Sequence, residues 1–213
     1  MIGIGNHEYD HVTGGNKDPS QAPGDGGFRP IWGNYGYDSG GECAVPMANQ
    51  PVHVVYYSTE HDFRRSSPQY KWLEQDLRSI DRIRTPWLIV TSHRPMYSSL
   101  IGIDLIQIML QLYIEPLLYK YHVDLNLYGH IHSYERTCPM YQHKCIDDGI
   151  TQVLIGMGGH DLTYGSYSNV DWSVYHDIYF GYTHINVNKT HLTFSYYHTE
   201  DDKLIDQFQL KKQ

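Results

Sequence analysis

Basic residues are scarce in this sequence: 16 Lys and Arg stand against 24 Asp and Glu among 213 residues, for a net charge of −8. They are also scattered, so the chain offers no electrostatic footprint for a nucleic-acid backbone or an anionic membrane surface. No apolar stretch reaches the unbroken length of a membrane span. The first residues lack the basic flank, apolar run and small-residue cleavage pattern of a secretory leader. Cysteine is sparse too, with only Cys43, Cys138 and Cys145. An odd number allows one internal bridge and leaves a thiol over, and the short "CPMYQHKC" loop makes Cys138 with Cys145 the most natural pair. No internal repeat is visible.

What the chain has in excess is His and Tyr, 14 and 20 residues. Hydrophobic residues make up 40%, enough for one sizeable core at this length and too little for two, so residues 1–213 are expected to form a single domain. Residues 11–51 are rich in Gly, Pro, Asn and Asp around "GGNKDPSQAPGDGG" and read as one long surface loop. "VHVVYYS" (52–58) reads as a buried strand from its β-branched and aromatic content. In "SSPQYKWLEQDLRSI", Ser67 caps, Pro68 takes the first helical position, and Tyr70, Leu73, Leu77 and Ile80 repeat at helical spacing.

"PWLIVTSH" is an apolar strand that stops at His93. "DLIQIMLQLYIEPLLYKY" (104–121) is a second helix, capped by Asp104 and open to a kink at Pro116. It feeds "VDLNLYGHIH", a strand that stops at His130 and His132. Short strands follow in "TQVLIGMGG", "YTHINVN", "HLTFSYYH" and "LIDQFQL", so residues 151–213 form an antiparallel region and the fold class is α/β passing into α+β. The N-K-T triplet at Asn188 is both a hairpin turn and a glycosylation sequon. With the cysteine pair it leans towards an oxidising, secretory setting.

Apolar strands of an α/β sheet deliver their C-terminal ends to one crevice, where ligands bind. Asn6 with His7, then His93, then His130 with His132, each follow such a run directly. An HxH pair in an extended segment puts both imidazoles on one face, as a metal site would need. Asn is an unusual ligand, because its neutral carbonyl oxygen binds weakly and prefers hard cations. His11, His53, His61, His143, His160, His176, His184, His191 and His198 are expected at surfaces or in packing, with His160 behind Gly158 and Gly159 the one closest to a site role. Glu8 and Asp10 are read as orienting or solvated carboxylates.

"GNHEYD", "VTSHRPMYSS" and "YGHIHSYERTCPMY" resemble the last three of the five metal-binding blocks of the purple acid phosphatases, within the calcineurin-like metallophosphoesterases. "WGNYGYDSGGECAVPM", "STEHDFRRSSPQYKWLEQDL" and "IGMGGHD" are similar to the larger, plant-type branch. The resemblance implies a calcineurin-like β-sandwich flanked by helices. It implies an acid phosphatase that hydrolyses phosphate monoesters by attack of a metal-activated hydroxide at a centre of Fe(III) and a divalent zinc, manganese or iron ion. In that family pattern Asn6, His93 and His130 would hold the divalent ion, His132 the ferric ion, and His7 would touch the substrate phosphate as the catalytic histidine. On the residues themselves, Tyr134, Glu135 and Arg136 are read either as bracing the GHIH loop through hydrogen bonds that fix the imidazole tautomers, or as plain loop anchors. A secreted, extracellular, lysosomal or vacuolar glycoprotein is implied as well.

The pattern is incomplete. The family's GDxG and GDxxY blocks, which supply two Asp ligands and the iron-binding Tyr, have no counterpart here, so the N-terminal strands are expected to be missing. The loop after His93 is "SSLIGIDLIQ", apolar and short where the family carries polar residues near the substrate, often His. A strand-forming stretch between "AVPM" and "VHVVYY" is lacking. Neutral ligands without a bridging carboxylate do not compensate two cations, so this chain is expected to hold one divalent ion or none and to show weak or no phosphatase activity alone. An uncovered sheet edge favours association with a second chain, a homodimer included. Two other readings stay open: a non-catalytic, metal-binding or interaction protein derived from such an enzyme, and a related phosphodiesterase or nucleotidase.

Overall fold

The computed structural model describes residues 51–102 and 104–212. Asn6, His7, Glu8, Asp10, Cys43 and the loop assigned to 11–51, except Pro51, lie outside the described residues. The described elements run β1 (Val52–Tyr56), α1 (Pro68–Ser79), β2 (Trp87–Thr91), α2 (Leu105–Tyr113), α3 (Glu115–Lys120), β3 (Leu125–Tyr128), β4 (Tyr134–Tyr141), β5 (Lys144–Cys145), β6 (Ile150–Ile155), β7 (Ser173–Asp177), β8 (Gly181–Val187), β9 (His191–His198) and β10 (Leu204–Lys211).

Strands β1, β2, β3 and β6 pair in parallel in that order. β4 then runs antiparallel to β6 and carries β5 and β7 on its other side. A second, three-stranded antiparallel sheet has the order β10-β9-β8. The helices cover one face of the large sheet and the small sheet covers the other. Period-two alternation sorts the side chains: in β2, Leu88 and Val90 join Leu73, Leu77, Leu110, Leu117 and Leu118 on the helical side, while Trp87 and Ile89 meet Leu192, Phe194 and Tyr196 of β9. This is the helix-flanked sandwich that the sequence reading anticipated.

Local chemistry explains the boundaries. Ser67 Oγ accepts from Tyr70 N at the start of α1, with Pro68 in the first turn. Asp104 Oδ1 accepts from Ile106 N at the start of α2. The segment expected as one kinked helix is two, because α2 ends at Tyr113 and α3 restarts with Pro116 in its first turn. Leu105, Ile108 and Leu112 stay exposed along α2. Cys138 and Cys145 form the expected disulfide, with Cα atoms 5.7 Å apart, stapling β4 to β5. Asn188 turns β8 into β9, its Oδ1 accepting from Thr190 N at 2.9 Å and His191 N at 2.8 Å.

Candidate metal and phosphate site

The parallel strands bring their C-terminal ends to one rim, and backbone hydrogen bonds continue the sheet past its formal ends. Tyr57 N donates to Thr91 O, Ser92 N to Leu127 O, and Gly129 N to His93 O at 2.9 Å. That last bond fixes the residue after β2 beside the residue after β3. His93 Nε2 and His130 Nδ1 are consequently 3.1 Å apart, their rings edge to face with centroids at 5.0 Å. Two nitrogen ligands on one tetrahedral zinc, each about 2.0–2.1 Å from it, lie roughly 3.3 Å apart. The His93–His130 pair therefore fits two corners of a single ion's shell.

His130 has φ +69, a left-handed conformation uncommon for residues other than Gly. The segment around it is a series of bends, with Ile131 N donating to Gly129 O and Ser133 N to Ile131 O. The expectation that HxH would place His130 and His132 on one extended face is thus corrected. His130 turns to His93, whereas the His132 ring lies beside His160, with centroids 6.0 Å apart. Burial pushes the His130 imidazolium pKa down to about 4, reinforced by the neighbouring Arg94 charge and by His93. The ring is neutral at physiological pH, the form a metal ligand requires.

Arg94 follows His93 and reaches back across the rim. Its Nε and Nη2 donate to the two oxygens of Glu60 at 2.8 and 3.1 Å, a two-pronged pair in which the Glu60 side chain is 6% exposed. Thr59 Oγ1 accepts from Arg94 N and donates to Glu60 Oε1, tying both residues down. Nη1 lies 3.4 Å from His130 Nε2 and 3.9 Å from Asp104 Oδ2. Asp104 also lines a cleft of about 240 Å³ with Tyr97, Gln107, Gln111, His143 and Trp172. Glu60, Arg94 and Asp104 had not been singled out for the site from sequence. Glu60 was findable by the strand-end rule that found His93, since it stands just beyond β1.

Gly156, just after β6, holds the His130 loop close. A Cβ there would come within 1.9 Å of Ile131 O, so only glycine permits this approach. Thr163 clamps His132 from the other side: Thr163 Oγ1 accepts from His132 N at 3.0 Å and Thr163 N donates to His132 O at 2.9 Å. The proposed bracing of this loop by Tyr134, Glu135 and Arg136 is not what their side chains do. Tyr134 and Arg136 bond Asp206 of β10, and Glu135 accepts from Ser99 N and Ser173 Oγ. They join the two sheets and anchor the segment after β2. Among the described residues no group of three or more His, Cys, Asp or Glu side chains is arranged to hold a metal ion.

The calcineurin-like phosphoesterase family profile matches residues 1–134, and the profile of the iron/zinc purple acid phosphatase-like protein C matches residues 149–207. Among curated proteins, a nucleotide pyrophosphatase/phosphodiesterase of Hordeum vulgare is 32% identical over 254 residues, covering 100% of this chain and 62% of its own length. That alignment is longer than the chain, so the barley protein carries stretches with no counterpart here. Probable inactive purple acid phosphatase 9 of Arabidopsis thaliana is 33% identical, covering 95% of this chain and 37% of that protein. This chain thus spans 62% and 37% of these two relatives, less than two thirds of either. The solved purple acid phosphatase PPD1 from yellow lupin (Lupinus luteus) seeds matches with a TM-score of 0.75 at 28% identity, covering 99% of this chain and 40% of that one. Strand-end histidines, the helix-flanked sandwich and both profile matches agree, and the chain belongs to the calcineurin-like phosphoesterases, among the purple acid phosphatases.

Proposed function

We propose that this chain carries the divalent-ion side of a phosphate-monoester hydrolase site, with His93 and His130 holding one zinc, manganese or iron ion together with Asn6. The 3.1 Å approach of His93 Nε2 to His130 Nδ1 is the observation that carries this reading. His132 is assigned to the ferric ion and His7 to the substrate phosphate, following the family pattern. A bound cation would supply Lewis-acid neutralisation of phosphate charge. The chain's own contribution is to hold two imidazoles in register through the Gly129 N to His93 O bond and to keep His130 uncharged by burial. The Cys138–Cys145 bridge and the exposed Asn188 sequon support a secretory or vacuolar setting.

A second reading, a non-catalytic metal-binding protein derived from such an enzyme, is favoured by the lack of a third His, Cys, Asp or Glu donor around the pair among the described residues. The "probable inactive" names of several relatives point the same way for those proteins. Elemental analysis of the purified chain, paired with aryl phosphate hydrolysis at acid pH, separates the readings. The expected outcome is about one divalent ion per chain, lost in His93→Ala, with turnover weak. One His93-dependent ion and no turnover at all would establish the second reading. About two ions with full turnover would show that other residues complete the binuclear centre. No His93-dependent ion would remove the site.

A further inference from the structure

We infer that Arg94 is the phosphate-contacting residue of this site, taking an oxygen of a monoester through its Nη1 edge; this rests on the reading of the rim as a phosphate-ester site. A guanidinium has five N–H donors in a rigid fork. On Arg94 the Nε and Nη2 edge is committed to Glu60 at 2.8 and 3.1 Å. The Nη1 edge is differently placed. Its approach to His130 Nε2 is long, at 3.4 Å, and Asp104 stands at ion-pair rather than hydrogen-bond distance, 3.9 Å.

Burial divides the pair in the same sense. Glu60 is 6% exposed and Arg94 21%, so the anchoring carboxylate is behind and the guanidinium is reachable from solvent. Thr59 holds the Arg94 backbone N, which removes main-chain slack. A guanidinium oriented before the ligand arrives loses little freedom on binding, and its planar fork suits phosphate oxygens. Nη1 also borders the imidazole pair, where the phosphorus of an ester would have to sit for the metal to act on it. The loop that follows, "SSLIGIDLIQ", is the one that lacks the polar substrate contacts the resemblance leads one to expect. Arg94 supplies a cationic contact from the strand end itself.

Asp104 is the opposing group. Its carboxylate near Nη1 repels an incoming anion, and replacing it with Asn keeps the cap of α2, since Asn caps as well as Asp. The test is calorimetric titration of inorganic phosphate into the 213-residue chain, with and without saturating zinc. Arg94→Gln alone would strand the buried Glu60, so Arg94→Gln is combined with Glu60→Gln, which preserves volume and hydrogen bonding. The double variant should bind phosphate about 10-fold more weakly or worse, as loss of a charge-assisted bond predicts. Asp104→Asn should bind it a few-fold more tightly, with zinc affinity unchanged. Phosphate binding equal to wild type in the double variant, or none in the wild type at millimolar phosphate, would overturn the inference. Zinc binding that ignores His93→Ala would sink the metal reading alone, leaving Arg94-dependent phosphate binding to stand or fall by itself.

Discussion

Among the described residues, two arginine–carboxylate pairs of similar geometry lie largely buried, and they differ in what each leaves over. Arg136 donates to both oxygens of Asp206 at 2.6 and 2.9 Å, with side chains 16% and 10% exposed. Asp206 also accepts from Tyr134 Oη, and the guanidinium lies over the Phe208 ring at 5.2 Å. Every strong contact of that pair joins β4 to β10. The Arg94–Glu60 pair makes the same two-pronged bond but sits where parallel strands end, with Nη1 turned to His130 rather than to a second anchor. The same chemistry is a clamp between sheets in one place and a poised donor in the other. Position at the strand ends, not residue type, separates the two.

That contrast can be attacked from its structural side first. Asp206→Ala leaves Arg136 and Tyr134 without their acceptor between the sheets, and breaking a buried pair from one side predicts a loss of about 3 kcal/mol, read from urea midpoints. Metal and phosphate binding by the remaining folded protein should be unaffected, and a loss there at permissive urea would mean that the clamp also sets the rim.

Gly156→Ala tests the rim in return. The added Cβ must push Ile131 O away, so overpacking costs about 2 kcal/mol. The larger readout is the displacement of His130 from His93, which should abolish zinc binding in the 213-residue chain. Zinc retained at wild-type affinity would show that the His130 loop tolerates the shift.

The smallest effect is a pH dependence. Burial opposes ionisation of Asp206, but hydrogen bonds from Arg136 and Tyr134 outweigh it and hold the carboxyl below its ordinary value. A depressed carboxylate contributes stability that is present above its unfolded value, about 3.9, and is lost as pH falls through the folded value. Asp206→Asn should therefore flatten the acid limb of stability against pH, measured by denaturant unfolding from pH 5 to 2. An acid limb as steep as that of the wild type would assign it to other carboxylates.

Much of this architecture could be read in advance because it is local. Ser67 and Pro68 announce α1, and the apolar run Trp87–Val90 announces a strand buried on both faces. The short cysteine loop announced its bridge. The same reading placed His93 and His130 at strand ends. It failed at Gly129–Ser133, because alternation holds only for extended backbone, and the left-handed His130 with its succession of bends breaks that rule. It also missed the Tyr134 and Arg136 partnership with Asp206, which lies 72 and 70 residues away in sequence.

Chain order and side-chain pattern were thus enough to place β1, β2, β3, β6, β8, β9 and β10, the helical segments and the strand ends that carry imidazoles, whereas β4, β5 and β7 were not read as strands. Those outcomes depend on propensities and periodicities that act over a few residues. Only the folded chain decided that His93 pairs with His130 and not His132 with it, and that Glu60 holds one edge of Arg94 while Asp206 consumes Arg136. Such choices are made by backbone hydrogen bonds and close approaches between distant segments, among them Gly129 N to His93 O and Gly156 against Ile131. No spacing along the chain encodes them.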